Sequence, residues 1–155
     1  MTTDDEAAFH QSAFAASRID RDRTLRAVHR FETALAMAAE RGAWLAEVTT
    51  DLEALESAMV EEQRELNRPD ALLAMIAAEH PRRFGSRIRN LREQYADIIG
   101  QVSSLRDQVA HGEDTRPDAG DLRERASWII RSLHHCRARQ TDLVYEAIDM
   151  DLGER

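Results

Sequence analysis

Residues 82–110 read RRFGSRIRNLREQYADIIGQVSSLRDQVA. Within them Phe84, Ile88, Leu91, Tyr95, Ile98, Val102, Leu105 and Val109 recur at alternating steps of four and three. That is the rhythm of one buried helical seam, and it predicts a helix over 82–110. The rhythm returns twice. Leu122, Ala126, Ile129, Leu133, Cys136, Gln140, Leu143, Ala147 and Met150 form a second seam, predicting a helix over 119–151. Leu45, Val48, Leu52, Leu55, Met59, Glu62 and Leu66 form a third, over 43–66. A sustained step of about 3.5 residues predicts left-handed, coiled-coil-like packing of these helices.

Between and before the seams the signals are shorter. Leu25, Val28, Glu32 and Leu35 predict a first helix over 22–40, with Phe31 beside its seam. Gly42 marks a break. Asn67-Arg68-Pro69-Asp70 ends the next helix, because proline disfavours helix in the residue before it. Leu72, Leu73 and Ile76 predict a short helix over 70–79, closed by His80-Pro81. HGEDTRPDAG (111–120) is the clearest loop. No strand pattern and no repeat is present. The expectation is an all-α, antiparallel four-helix bundle with a short extra helix. Residues 1–20 are weakly patterned and are expected to form an N-terminal arm before a single domain over 21–155.

Composition narrows the function classes. The net charge is −8, which opposes nucleic-acid and anionic-membrane binding. All 21 basic residues are arginine, so Schiff-base and P-loop lysine chemistry is absent. One cysteine permits no internal disulfide and fits a reducing compartment. No apolar run approaches the roughly 20 residues of a membrane span, and the acidic start gives no signal-peptide pattern. The expectation is a cytoplasmic protein, monomeric or homodimeric, whose partner is an unknown protein or small ligand.

The informative residues are the polar ones on seams. Burying an unpaired polar group costs about 1–3 kcal/mol, yet Glu62, Tyr95, Cys136 and Gln140 all fall at inward positions, and Glu32 falls on the first seam. Bundles build sites in their cores from such groups. Tyr95 is expected to hydrogen-bond to Glu62 or Gln140, and Gln140 to complete that network. The bland readings are a satisfied polar network, a small buried Cys136, and a Glu62 near enough to a helix end to reach water. His134 and His135 are adjacent on a helix and cannot both face the core. His10, His80 and His111 fall in the arm or in loops and are expected in solvent. His29 lies beside the first seam. Asp142, Glu146 and Asp149 read as a solvated charged face, and Trp44 and Trp128 as packing anchors. The arginine-dense 82–92 run offers itself to an anion or acidic surface.

LHHCRARQTDLVYEAIDMDLGE (133–154) resembles the final helix of hemerythrin-like (HHE cation-binding) proteins. Those often carry a His, a Glu four residues on, an Asp-Leu-aliphatic-Tyr-Glu-Ala run and an Asp-aliphatic-Gly ending. FGSRIRNLREQYADI (84–98) is similar to that family's leucine-rich helix. WLAEVTTDLEALESAMVEEQ (44–63) with RPDALL (68–73) is similar to its ligand-bearing helix and the insert after it. The resemblance spans residues 25–153 and implies a four-helix bundle holding two non-haem irons on His and carboxylate ligands. It places Glu62, Tyr95 and Cys136 where the family has His, and Gln140 where it has Glu, with Asn67 near a further carboxylate. A one-residue slip would put His135 in the His slot; the heptad phase opposes the slip.

Three readings follow. The first is a non-catalytic binding or regulatory protein with no cofactor, its di-iron site lost or altered. The second is a metalloprotein in which Glu32, Glu62, Tyr95, Gln140 and Cys136 or His135 hold one or two irons for oxygen, peroxide, nitric oxide or iron handling. The third is a thiol sensor using Cys136. If the core network is only structural, Glu62→Leu is expected to leave the fold intact or more stable.

Overall fold

The computed structural model describes residues 3–37, 43–111 and 117–153. The order is α1 (Thr3–Ala36), α2 (Trp44–Leu66), α3 (Leu72–Glu79), α4 (Pro81–His111) and α5 (Ala119–Gly153). The chain is all-α, with no strand among the described residues. No described helix is long and apolar enough to cross a membrane. Gly42 and residues 112–116 of the expected 111–120 loop lie outside the described residues.

Local chemistry sets the helix ends. Pro81 opens α4, a position where its missing N–H costs nothing. His80 before it takes φ −130° and ψ 61°, outside the helical region. Asp118 caps α5: its Oδ1 accepts from the Asp121 N–H at 2.8 Å. Arg68 pairs with both Glu65 and Asp70 across the turn that follows α2.

All eight α4 seam residues are buried. On α5 every seam member is buried except the half-buried Met150. On α2 only Leu45 is half-buried, and Trp44 takes the inward place beside it. The first helix differs in length and phase. It runs unbroken from Thr3, so the boundary expected at residue 20 falls inside α1. The 3–21 stretch is weakly patterned in sequence but rich in alanine, the strongest helix former. Further along, Thr24, Val28, Phe31 and Leu35 are inward, with Ala27 and Ala34. Leu25 is 40% exposed and Glu32 is exposed. The seam is offset because a threonine, not the adjacent leucine, occupies its first position. Trp44 is an anchor, donating from Nε1 to the Ala34 carbonyl at 2.9 Å, whereas Trp128 is 47% exposed.

Cross-links give the helix directions. Between α1 and α5, Arg21 reaches Thr141 while Arg123 reaches the Leu35 and Met37 carbonyls. Between α2 and α4, Arg106 pairs with Glu56 while Arg92 donates to the Leu66 carbonyl. Between α4 and α5, Arg125 bonds Gln108 while Arg87 pairs with Glu146. In each pair residue numbers rise on one helix as they fall on the other. The short α3 lies on α4 and buries Leu73 and Ile76.

Candidate functional site

The four long helices meet in one polar layer. Glu62 of α2 is the centre, 2% exposed. The Tyr95 hydroxyl of α4 donates to Glu62 Oε2 at 2.6 Å. Arg137 of α5 donates from Nη2 to Glu62 Oε2 at 2.9 Å and to Oε1 at 3.3 Å. Thr24 of α1 is fully buried, donates to the Asp20 carbonyl at 3.1 Å, and lies against the Tyr95 hydroxyl. Each long helix thus contributes a side chain to the same level of the core.

Arg137 is the member that sequence reasoning missed. A charged residue beside a seam normally faces water, yet this one is 5% exposed. The signal was present: a seam carboxylate such as Glu62 needs a cation, and Arg137 flanks the seam directly after Cys136. Its Nη2 alone is engaged; Nε and Nη1 donate to none of the described residues.

The remaining candidates separate into two groups. Cys136 is buried, with its sulfur 4.0 Å from the Leu91 carbonyl oxygen. Burial pushes its thiol up to about 11, with Arg139 pulling the other way. Gln140 is buried one turn beyond Arg137 but makes no hydrogen bond to Tyr95 or Glu62, so the expected closure of the network through Gln140 is not found. Glu32 and His135 face outward, as do His29, His134 and His111. The Glu32 position follows from the shifted α1 phase, and the His135 position from the α5 phase that buries its neighbour. The His10 side chain lies outside the described ones. His80 is half-buried rather than loose in solvent.

Tyr95 is held protonated. Burial raises its pKa far above the usual range, the Glu62 carboxylate adds to that, and Arg137 and the Thr24 hydroxyl oppose it. The phenol therefore serves Glu62 as a donor.

This set does not fit a di-iron centre. The inward carboxylate already accepts from a phenol and a guanidinium. The other inward groups are a carboxamide and a thiol whose thiolate is disfavoured. A fixed positive charge sits where a metal would need its ligands' negative charge. The two further candidate ligands, Glu32 from the first-helix seam and His135 from a one-residue slip, are on the outer surface.

Outside the core, Glu146 accepts from Arg83 and Arg87 at 2.7 Å each, and these arginines, Arg87 first, lower its pKa. Part of the arginine-dense run is thereby committed to α5. A surface groove of about 460 Å³ lies between α1 and α2, walled by His29, Thr33, Met37, Ala46, Glu47 and Thr50. That volume is within the usual range for small-ligand pockets.

Comparison with protein-family models, with curated proteins and with solved structures found no match to this chain.

Proposed function

We propose that the chain is a hemerythrin-like antiparallel four-helix bundle in which a buried ion pair stands in place of the di-iron centre. In this reading it works as a non-catalytic binding or regulatory protein of the cytoplasm. The observation that carries it is the Arg137 guanidinium on Glu62 in the core, at 2.9 Å, with both side chains almost wholly buried. Glu62, Tyr95 and Cys136 are the positions that the resemblance assigns to metal ligands, and Arg137 supplies there the positive charge that a metal would bring. The alternating helix directions support the bundle.

A buried layer that links α2, α4 and α5 through Glu62 fixes which residues face which, so its role in this reading is to specify helix register. Function is then left to the outside, where a protein partner or a small ligand binds the monomer or homodimer. The α1–α2 groove has the volume to take the small ligand. Thiol sensing is disfavoured, because a sensor needs an exposed, low-pKa thiol and Cys136 is buried with its pKa raised.

The test is anaerobic loading with ferrous iron, followed by air exposure and visible spectroscopy, on the wild type and on Tyr95→Phe and Glu62→Gln. No iron that either substitution displaces is expected. Two irons per chain, lost with either variant, would overturn the reading.

A further inference from the structure

Glu79, His80 and Asp151 bring one ligand atom each to within 4.8 Å of one another. They come from the last residue of α3, the junction before α4, and the last turn of α5. We propose that these three side chains form a binding site for one divalent transition-metal ion, with Zn²⁺ the best match, at the end of the helices opposite the α1–α2 turn.

Three features support a site over a chance grouping. The first is the donor set. Two carboxylates and one imidazole suit a borderline metal such as Zn²⁺, whereas Ca²⁺ wants six to eight oxygens. The second is the fixed histidine. The His80 N–H donates to the Ile76 carbonyl, and its own carbonyl accepts from the Arg83 and Phe84 N–H groups at 3.1 and 3.0 Å. Its ring meets the buried Phe84 ring edge-on with centroids 6.0 Å apart. The ligand that most needs orientation is thus held from both ends, and Pro81 stiffens the chain beside it.

The third is spacing and charge. Tetrahedral bonds of about 2.0–2.2 Å place ligand atoms roughly 3.3–3.6 Å apart. His80 Nε2 and Asp151 Oδ1 already stand at 3.4 Å. Glu79 is exposed and pairs with no described residue, and its carboxylate lies within 4.8 Å of both other ligand atoms, so its side chain is free to adjust along the remaining two edges. The Arg83 guanidinium, three residues on from His80, is held on Glu146 by two hydrogen bonds. The negative end of α5 adds to the two carboxylates, while the α3 and α4 dipoles meet at His80 and cancel.

With three protein ligands the fourth position faces water, the pattern of an open site. Such an ion would tie the end of α5 to the α3–α4 junction. This is independent of the core: nothing in the polar layer touches these residues.

The test uses the full chain, titrated with Zn²⁺ by calorimetry and with Co²⁺ by visible absorption, beside His80→Ala and Asp151→Asn. One metal per chain is expected, with tetrahedral-type Co²⁺ bands and a Tm raised by Zn²⁺. Each variant should weaken binding by at least the roughly 10–100-fold that loss of even an outer-shell partner costs. Asp151→Asn keeps an acceptor for His80, so a fold defect cannot mimic the loss. Sub-stoichiometric uptake, or equal affinity in wild type and both variants, would overturn the proposal.

Discussion

Replacing Arg137 with methionine probes the core most sharply. Its guanidinium is 2.9 Å from a Glu62 carboxylate, and the two side chains are 6% and 3% exposed. Removing one partner of such a pair leaves the other charge buried, which costs about 3–5 kcal/mol. Tyr95 still donates to Glu62 but brings no charge, so most of that cost should be felt. For a domain whose stability is about 5–15 kcal/mol, the loss is about a fifth or more. The triple variant Glu62→Met, Tyr95→Phe, Arg137→Met removes every member at once and should lie between neutral and roughly 4 kcal/mol more stable than wild type. Only one Arg137 nitrogen is engaged with Glu62, so little hydrogen bonding is lost in the swap. Equilibrium urea unfolding followed by circular dichroism reads both. A cost below about 1 kcal/mol for Arg137→Met, the value of an exposed pair, would refute the buried ion pair. The same reasoning reverses the sequence-based expectation for Glu62→Leu. That change strands the arginine cation and should destabilise, because the partner was not visible in the seam.

Further outcomes follow from the same geometry. Tyr95→Phe should cost about 1–3 kcal/mol by removing a buried donor, and the tyrosinate absorbance of Tyr95 should appear only when alkali unfolds the chain. Cys136 should resist a thiol reagent at neutral pH and react on unfolding. Burial pushes its thiol from the ordinary 9.0 up to about 11, so stability should be level below pH 9 and fall as pH climbs towards 11, where the unfolded thiol ionises and the folded one does not. Glu146→Ala should lower Tm at neutral pH. Because Arg87 and Arg83 depress its pKa, the difference should hold above its ordinary value of 4.5 and vanish as pH falls through the lower folded value. Arg123→Ala should fray the end of α1 and cost about 1–2 kcal/mol in unfolding measurements. This residue binds the Leu35 and Met37 carbonyls and stacks over Trp44, with a lysine restoring only part.

How much of this was legible varied with the kind of force involved. The α4 seam was read without error, because a long amphipathic helix buried along one face must repeat its apolar residues in step. The same held for Glu62, Tyr95, Cys136 and Gln140 as inward groups. The α1 phase was misread because its first inward residue is Thr24, whose burial rests on a hydrogen bond and not on hydrophobicity. The helix over the described part of the expected 1–20 arm went unread because propensity leaves no periodic mark. Arg137 was hidden by the rule that arginines face water. That rule fails where a seam carboxylate waits across the core. His80 looked like a loop residue because nothing in the local sequence shows that α5 ends beside it.

The central claim is that the core carries an ion pair and not a metal centre. It is tested most directly by metal analysis and visible spectroscopy of iron-loaded protein carrying His80→Ala, which removes the end site from the count. The ion-pair core predicts negligible iron and a featureless visible spectrum, unchanged by Tyr95→Phe. About two irons per chain with a tyrosinate-to-iron band that Tyr95→Phe abolishes would contradict it.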